Sequence, residues 1–239
     1  MSVCYLLNHQ KSFHNEMKSG MDIELIIHEL RLRIGRNTIP RDYGFPCFPI
    51  YCYYPSKALN IPQHSELIRK RIWDFKIDRA YITRQMHQIS VEFFVPKVVE
   101  ILYMVFGDCI REFVFMCVPA KTICGNELRW RDFSNAVCEE CGMVNGFNYV
   151  SIAQEGTQKH NNLGSGKDAK LIFNEEAIKG KYVVICDDIC SYGKTLKTFY
   201  KKLMNVGAKD CVGITLGVTT HSLQETEPME IYNRFEFLK

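Results

Sequence analysis

The chain has 239 residues, of which 24% are charged and 46% hydrophobic. That balance excludes a disordered or collagen-like polymer and suits one large folded domain with a modest appendage. With 30 basic and 27 acidic side chains the formal charge is +3, too weak an excess for polyelectrolyte binding of nucleic acid over the whole surface.

The opening, MSVCYLLNHQKSFHNEMKSG, lacks the apolar core of an export signal. The greasiest stretch, Val91 to Phe106, is broken by Pro96, Lys97 and Glu100 before it reaches a spanning length of about 20 residues. A soluble, cytoplasmic protein that does not engage a membrane is expected. In that setting the odd set of 11 cysteines, mostly single and apolar-flanked, reads as reduced buried thiols rather than a disulfide framework.

Along the first half, MDIELIIHELRLRIGR (21–36) predicts a short amphipathic helix with Ile23, Ile26, Ile27 and Leu30 on one side, stopping at Gly35. YGFPCFPIYCYYP (43–55) predicts an irregular arm and a short strand. Helical spacing returns from Ser65 to Arg71 and from Phe93 to Phe106.

Beyond Ile110 strands and helices alternate. Phe113 to Val118 reads as a buried strand, and Asp132 as the cap of a helix carrying Phe133, Val137 and Cys141 that ends near Gly142. A strand at Tyr149 to Ile152, a long polar stretch from Gln154 to Lys170 and an apolar strand at Tyr182 to Cys186 follow. A helix after Gly193 bears Leu196, Phe199, Tyr200 and Leu203 and stops at Gly207, and Cys211 to Val218 supplies the last strand. This order implies an α/β domain with a mainly parallel sheet flanked by helices.

The chemistry is concentrated in YVVICDDICSYGKTL (182–196), an apolar strand running into Asp187 and Asp188, a loop from Ile189 to Gly193, and a helix opening at Lys194 or Thr195. Ligands bind parallel α/β sheets at the carboxyl ends of strands. A loop feeding a helix amino terminus presents unpaired N–H groups and a positive dipole end to a phosphate. Ser191 and Thr195 add hydroxyl donors, and Gly193 permits close backbone approach. Carboxylates only accept hydrogen bonds, so the pair suits sugar hydroxyls or a divalent cation. A ligand with a phosphate at one end and hydroxyls at the other, such as a ribose 5-phosphate, has the matching shape. Gly193-Lys194-Thr195 is not the end of a Walker A loop, because the glycine required five residues earlier is Asp188. A phosphoacceptor reading of the acidic pair leaves the Gly-x-Thr turn and helix start without a role.

The segment resembles the 5-phosphoribosyl 1-diphosphate (PRPP) signature of type I phosphoribosyltransferases. Upstream, FVFMCVPAKTICGNELRWRDFSNAV (113–137) resembles the strand, diphosphate loop and helix start of the ComF-like, competence-associated branch, with Arg131-Asp132-Phe133-Ser134-Asn135 where those proteins often have Arg-Gly-Phe-Asn. The resemblance runs from about residue 110 to 218, and more faintly from about residue 46. It implies a type I phosphoribosyltransferase fold, with PRPP-binding roles for Ala120, Lys121, Arg129, Arg131, Asp187, Asp188, Ile189, Cys190, Ser191, Tyr192, Gly193, Lys194 and Thr195. Asp187 and Asp188 would hold the ribose hydroxyls directly or through Mg2+, Ser191 to Thr195 would wrap the 5′-phosphate, and Lys121 would offset diphosphate charge. In the catalytic roles stand Asp187, Asp188 and Lys121. The Gln154 to Lys170 stretch, with Gly156, Lys159, His160, Gly164, Gly166 and Lys167, matches the family's closing loop.

The reaction so implied is transfer of the phosphoribosyl group to a nitrogen nucleophile with release of pyrophosphate. Position 191 is serine rather than the aspartate of the hypoxanthine-guanine members, which disfavours 6-oxopurine acceptors. Position 192 is a bulky tyrosine where a small residue or threonine is usual in the family. Two other readings share the same ligand site: a catalytically silent PRPP sensor or nucleic-acid-associated protein, and a hydrolase of PRPP or a related sugar phosphate. The expected organisation is an N-terminal arm (1–45), a phosphoribosyltransferase-like domain (46–225) and a tail (226–239), with a homodimer allowed.

Three further features have plain structural readings. Cys138 and Cys141 form a C-x-x-C without the second pair a zinc site needs, and read as one face of a helix. Arg69, Lys70 and Arg71 beside Trp73 and Phe75 read as a solvated helix face with a buried aromatic edge. The aromatics from Tyr43 to Tyr54 suit core packing, an acceptor pocket or a dimer contact.

Overall fold

The structure is a computed structural model that describes residues 23–33, 43–58, 60–77, 81–156 and 168–220. The expected tail and the greater part of the closing loop, including Lys159, His160, Gly164, Gly166 and Lys167, lie outside these residues.

Four long apolar runs stack as parallel strands: β1 (Cys47–Tyr53), β2 (Phe113–Cys117), β6 (Tyr182–Cys190) and β7 (Asp210–Thr219). With the short β3 (Val144–Asn145) they form a five-stranded sheet of order β1-β7-β6-β2-β3, every pairing parallel. Successive side chains of a strand point to opposite faces. One face therefore presents Phe48, Ile50, Phe113, Phe115, Val184, Val212, Ile214 and Leu216 to the helices α1 (Ile23–Arg33), α2 (Gln63–Lys76), α3 (Arg84–Phe106) and α4 (Ile123–Cys141). The other presents Val114, Met116, Val183, Ile185 and Cys211 to the short α5 (Glu175–Ile178) and to α6 (Lys194–Asn205). Both faces of a parallel sheet are covered in this way, which is why its strands read as continuous apolar runs.

The fold class expected from the sequence holds, with several changes of detail. Residues Tyr149 to Ile152 do not join the main sheet. The strand there, β4 (Val150–Gln154), pairs antiparallel with β5 (Lys170–Phe173) in a separate hairpin, and the parallel edge position is taken by β3. Phe173 of that hairpin meets Phe199 of α6 with ring centroids 5.8 Å apart.

Helix α3 starts nine residues before the expected Phe93, capped by Thr83, whose side chain accepts from the Met86 N–H, and it runs through Pro96. Helix α4 begins at Ile123 under a Thr122 cap, so Asp132 lies inside it and caps nothing. Gly142 ends α4 in the left-handed conformation as expected. Cys138 and Cys141 are buried on the core face of α4, and burial pushes both thiols up to about 12. Ile23, Ile26, Ile27 and Leu30 of α1 belong to the same core cluster as the sheet, so this helix shares the domain's interior.

Candidate active site

Strand β6 carries the acidic pair at its carboxyl end. The pair was expected beyond a strand ending at Cys186, but β6 continues to Cys190 because β7 runs long enough to keep pairing with it, as far as Cys190 opposite Val218. Pairing with β2 stops at Cys186 opposite Cys117. Asp187 and Asp188 therefore stand on a strand whose neighbour on one side has already ended.

The two carboxylates have different environments. Asp188 is buried, 5% exposed, and is gripped by two cations: Arg129 Nη1 lies 2.8 Å from Oδ2 and Lys76 Nζ 3.3 Å from Oδ1. Burial alone would raise this carboxyl, but Lys76 and Arg129 outweigh it and hold Asp188 below the usual carboxylate range. Asp187 is half-buried; its Oδ1 accepts the Asp188 N–H at 2.8 Å. Desolvation, and then repulsion from Asp188, push Asp187 up to about 7.

Arg129 also ties the acid pair to the end of α2. Its Nε and Nη2 donate to the carbonyl of Lys76 at 3.1 and 2.9 Å. The chain leaves α2 at Ile77 with φ 46°, a left-handed conformation that β-branched residues rarely adopt. Backbone strain of this kind survives where the surroundings over-determine it, and here the Arg129 grip and the Asp188 pair do so.

Asp187 lines a cavity of about 210 Å3 together with the loop that leads into α6, from Ile189 to Leu196. Gly193 enters α6 at φ 67°. The ring of Tyr43 lies directly against it, 2.0 Å from where a Cβ would stand, so glycine is required here on two counts. Ser191 Oγ lies 2.6 Å from Thr219 Oγ1, which ties the loop to the end of β7. Tyr192 is 85% exposed, so its bulk stands out in solvent. Cys190 is buried and Ile189 packs against the core, so these two contribute to the cavity wall rather than to polar recognition.

The turn after β2 reaches the same end of the sheet. Ala120 donates its N–H to Asn126 Oδ1 at 3.0 Å, Thr122 Oγ1 accepts the Gly125 N–H, and Ile123 N–H donates to Glu155 Oε1 at 2.7 Å. The Lys121 carbonyl accepts the Gly156 N–H at 2.8 Å, which pins the root of the long loop to this turn.

Because α4 starts early, Arg129 and Arg131 lie on a helix, two residues and so more than half a turn apart. Arg129 faces the acidic pair. Arg131 pairs with Glu127 and lies 4.6 Å over the Phe147 ring, so the structure does not bring it to the cavity. The sequence reading missed Lys76 and Thr219, and it placed Tyr43 in an aromatic run and Glu155 in the closing-loop stretch without an individual role for either.

The aromatics from Tyr43 to Tyr54 are chiefly core: Phe45 stacks on Tyr200 at 4.4 Å, and Phe48, Ile50 and Tyr51 are buried under the helices. Arg69 of the basic run lies over Trp73, 5.4 Å from its centroid, while Phe75 is buried between Trp130, Phe133 and Phe94.

Strand end, acid pair and helix amino terminus occur here in the order the sequence expects. Residues 144–236 match the phosphoribosyl transferase domain family. The matched span holds β3, the β4–β5 hairpin, the acidic pair, the loop and α6, while the 119–122 turn and Arg129 precede it. No curated protein matches the chain. Similar solved structures include a hypoxanthine phosphoribosyl transferase of Trypanosoma cruzi, 14% identical over 61% of this chain and 73% of that one, TM-score 0.32. Another is a glutamic acid mutant at an invariant aspartic acid of the HPRTs, 14% identical over 57% of this chain and 69% of that one, TM-score 0.31.

A divalent cation fits this donor set in one manner. Among the described residues there is no group of three or more His, Cys, Asp or Glu side chains that would hold a metal ion, and Asp188 is committed to Arg129 and Lys76. Asp187 can supply one carboxylate to an ion that brings its remaining oxygen ligands on the substrate. Among the same residues no helix is long and apolar enough to cross a membrane.

Proposed function

We propose that the chain is a phosphoribosyltransferase that binds PRPP with Mg2+ and transfers the phosphoribosyl group to a nitrogen nucleophile. The observation that carries this reading is Asp187 at the carboxyl end of β6, facing across a small cavity the loop and amino terminus of α6. The domain match over residues 144–236 supports the same class of chemistry.

In this reading the loop amides, Ser191 and Thr195 at the start of α6 hold the 5′-phosphate, where the positive helix end favours it. Asp187 accepts hydrogen bonds from the ribose hydroxyls. Asp188 stays ionised between Arg129 and Lys76 and fixes the strand end behind it. Lys121, on the turn after β2, offsets diphosphate charge. Asp187 would also hold an Mg2+ ion arriving with the diphosphate, which would supply neutralisation of the leaving group's charge. The bond from ribose C1 to diphosphate oxygen breaks with its electron pair leaving on pyrophosphate. The acceptor nitrogen forms the new bond to C1 and gives up its proton to solvent or a base.

Placement in the ComF-like branch rests on residues 113–137 and their resemblance to that group. A cytoplasmic location, with a homodimer allowed, belongs to the same proposal.

The test is calorimetric titration of Mg2+ and PRPP into the wild type and Asp187→Asn, followed by pyrophosphate release across a panel of bases and amines. Binding that Asp187→Asn abolishes, with acceptor-dependent release, supports the transferase. Binding without release from any acceptor converts the reading to a sensor, release without an acceptor to a hydrolase, and no binding overturns it.

A further inference from the structure

The amino terminus of α4 is already answered by an anion of the chain's own. Ile123 N–H donates to Glu155 Oε1 at 2.7 Å, and the residue after that glutamate closes the contact from the other direction, Gly156 N–H donating to the Lys121 carbonyl at 2.8 Å. Neighbouring amides are satisfied locally: Ala120 by Asn126 Oδ1, Gly125 by Thr122 Oγ1 and Asn126 by the Thr122 carbonyl. A carboxylate and a diphosphate oxygen make the same demand on such a helix end, one acceptor atom on the N–H and one negative charge at the positive dipole end. Glu155 is exposed, so its side chain can leave this position without opening the core.

We propose that Glu155 is an internal competitor of the diphosphate group, seated on the Ile123 N–H until an incoming diphosphate displaces it. This rests on reading the 119–122 turn as the diphosphate site. The contact lowers the affinity for both PRPP and released pyrophosphate, and it couples residues 155 and 156 to whether that turn is filled.

Three proteins separate this role from simple helix capping. Glu155→Gln keeps an acceptor for the Ile123 N–H but removes the charge; Glu155→Ala removes both; Glu175→Gln removes one surface charge elsewhere. Calorimetry with pyrophosphate and Mg2+ is expected to give about two- to fivefold tighter binding for Glu155→Gln and Glu155→Ala than for the wild type. Glu175→Gln is expected to match the wild type, and PRPP to follow the same order. Glu155→Gln equal to the wild type with Glu155→Ala weaker makes Glu155 a cap that organises the turn, and overturns the proposal. A wild type that binds PRPP, with pyrophosphate affinity unmoved by either substitution, removes the competitor and leaves the proposed function standing. No heat with either anion in any of the proteins removes both.

Discussion

Arg129 holds Asp188 and the carbonyl of Lys76 in a single guanidinium, 2.8 Å to the carboxylate and 2.9 and 3.1 Å to the carbonyl. One side chain thus joins the end of β6, the end of α2 and the middle of α4. Two donors of its planar fork grip one oxygen while a third reaches another, a geometry a lysine ammonium does not reproduce. Removing one partner of a buried ion pair leaves the other charge uncompensated, at a cost of about 3 kcal/mol. Arg129→Gln is expected to lower the unfolding free energy by roughly that amount, moderated by Lys76, and Arg129→Lys to recover less than half of it. Urea denaturation of the three proteins checks this. Equal stability of wild type and Arg129→Gln would show that the pair is structurally idle.

The two aspartates are adjacent in sequence and opposite in consequence. Asp188→Asn strips the charge from between Lys76 and Arg129 and leaves two cations facing each other, so it is expected to destabilise the fold by about 2 to 3 kcal/mol. Asp187→Asn removes a carboxyl that burial and Asp188 already disfavour as an anion, so stability should hold or rise while PRPP binding is lost. Thermal melts set beside calorimetric titration separate the two effects. A destabilised Asp187→Asn with intact binding would exchange the roles assigned here.

Much of the fold was legible because apolar strands buried on both faces announce themselves as continuous runs, as β2, β6 and β7 do, while β1 showed only as a short strand among aromatics and prolines. The parallel edge β3 was not, since two residues carry no pattern and Val144–Asn145 is a strand only because Val114 and Phe115 lie beside it. The start of α4 was misplaced for a related reason. Asp132 is as good a cap residue as Thr122, and the mixed polar and apolar segment between them hides the first turns of the helix. At the site, the strand-acid-loop-helix order was readable because each part is local. Lys76 and Tyr43 arrive from 112 and about 150 residues away in sequence, placed by packing that a motif does not encode.

Asp187 and His87 impose opposite pH dependences. The folded carboxyl of Asp187 is raised from 3.8 to about 7, so the native state binds the extra proton between those values. Its stabilising contribution is complete below about pH 4 and is lost as pH rises through about 7. His87 is buried, with Nδ1 3.0 Å from the Phe75 carbonyl, and desolvation lowers its folded value below 6.5. Its contribution is present above pH 6.5 and is lost as pH falls toward the folded value. Stability measured from pH 4 to 8 is expected to slope upward more steeply in Asp187→Asn, and less steeply in His87→Gln, than in the wild type. A profile left unchanged by Asp187→Asn would mean that this carboxyl titrates normally in the fold.

Gly193 and Gly180 both have positive φ, 67° and 72°, but in different surroundings. A Cβ at Gly180 meets nothing within 4 Å, whereas one at Gly193 falls 2.0 Å from the Tyr43 ring. Gly180→Ala therefore reports the left-handed backbone alone, at about 1 kcal/mol. Gly193→Ala adds an overlap with a buried aromatic and is expected to cost about 3 kcal/mol or more, and to weaken phosphate binding because the loop must move. In a Tyr43→Ala background the overlap has no partner, so the same substitution should cost about what it costs at Gly180. Chemical denaturation of the double-mutant cycle measures the coupling between the two positions. A Gly193→Ala cost that Tyr43→Ala leaves unchanged would place the strain in the loop backbone itself and remove Tyr43 from the construction of the site.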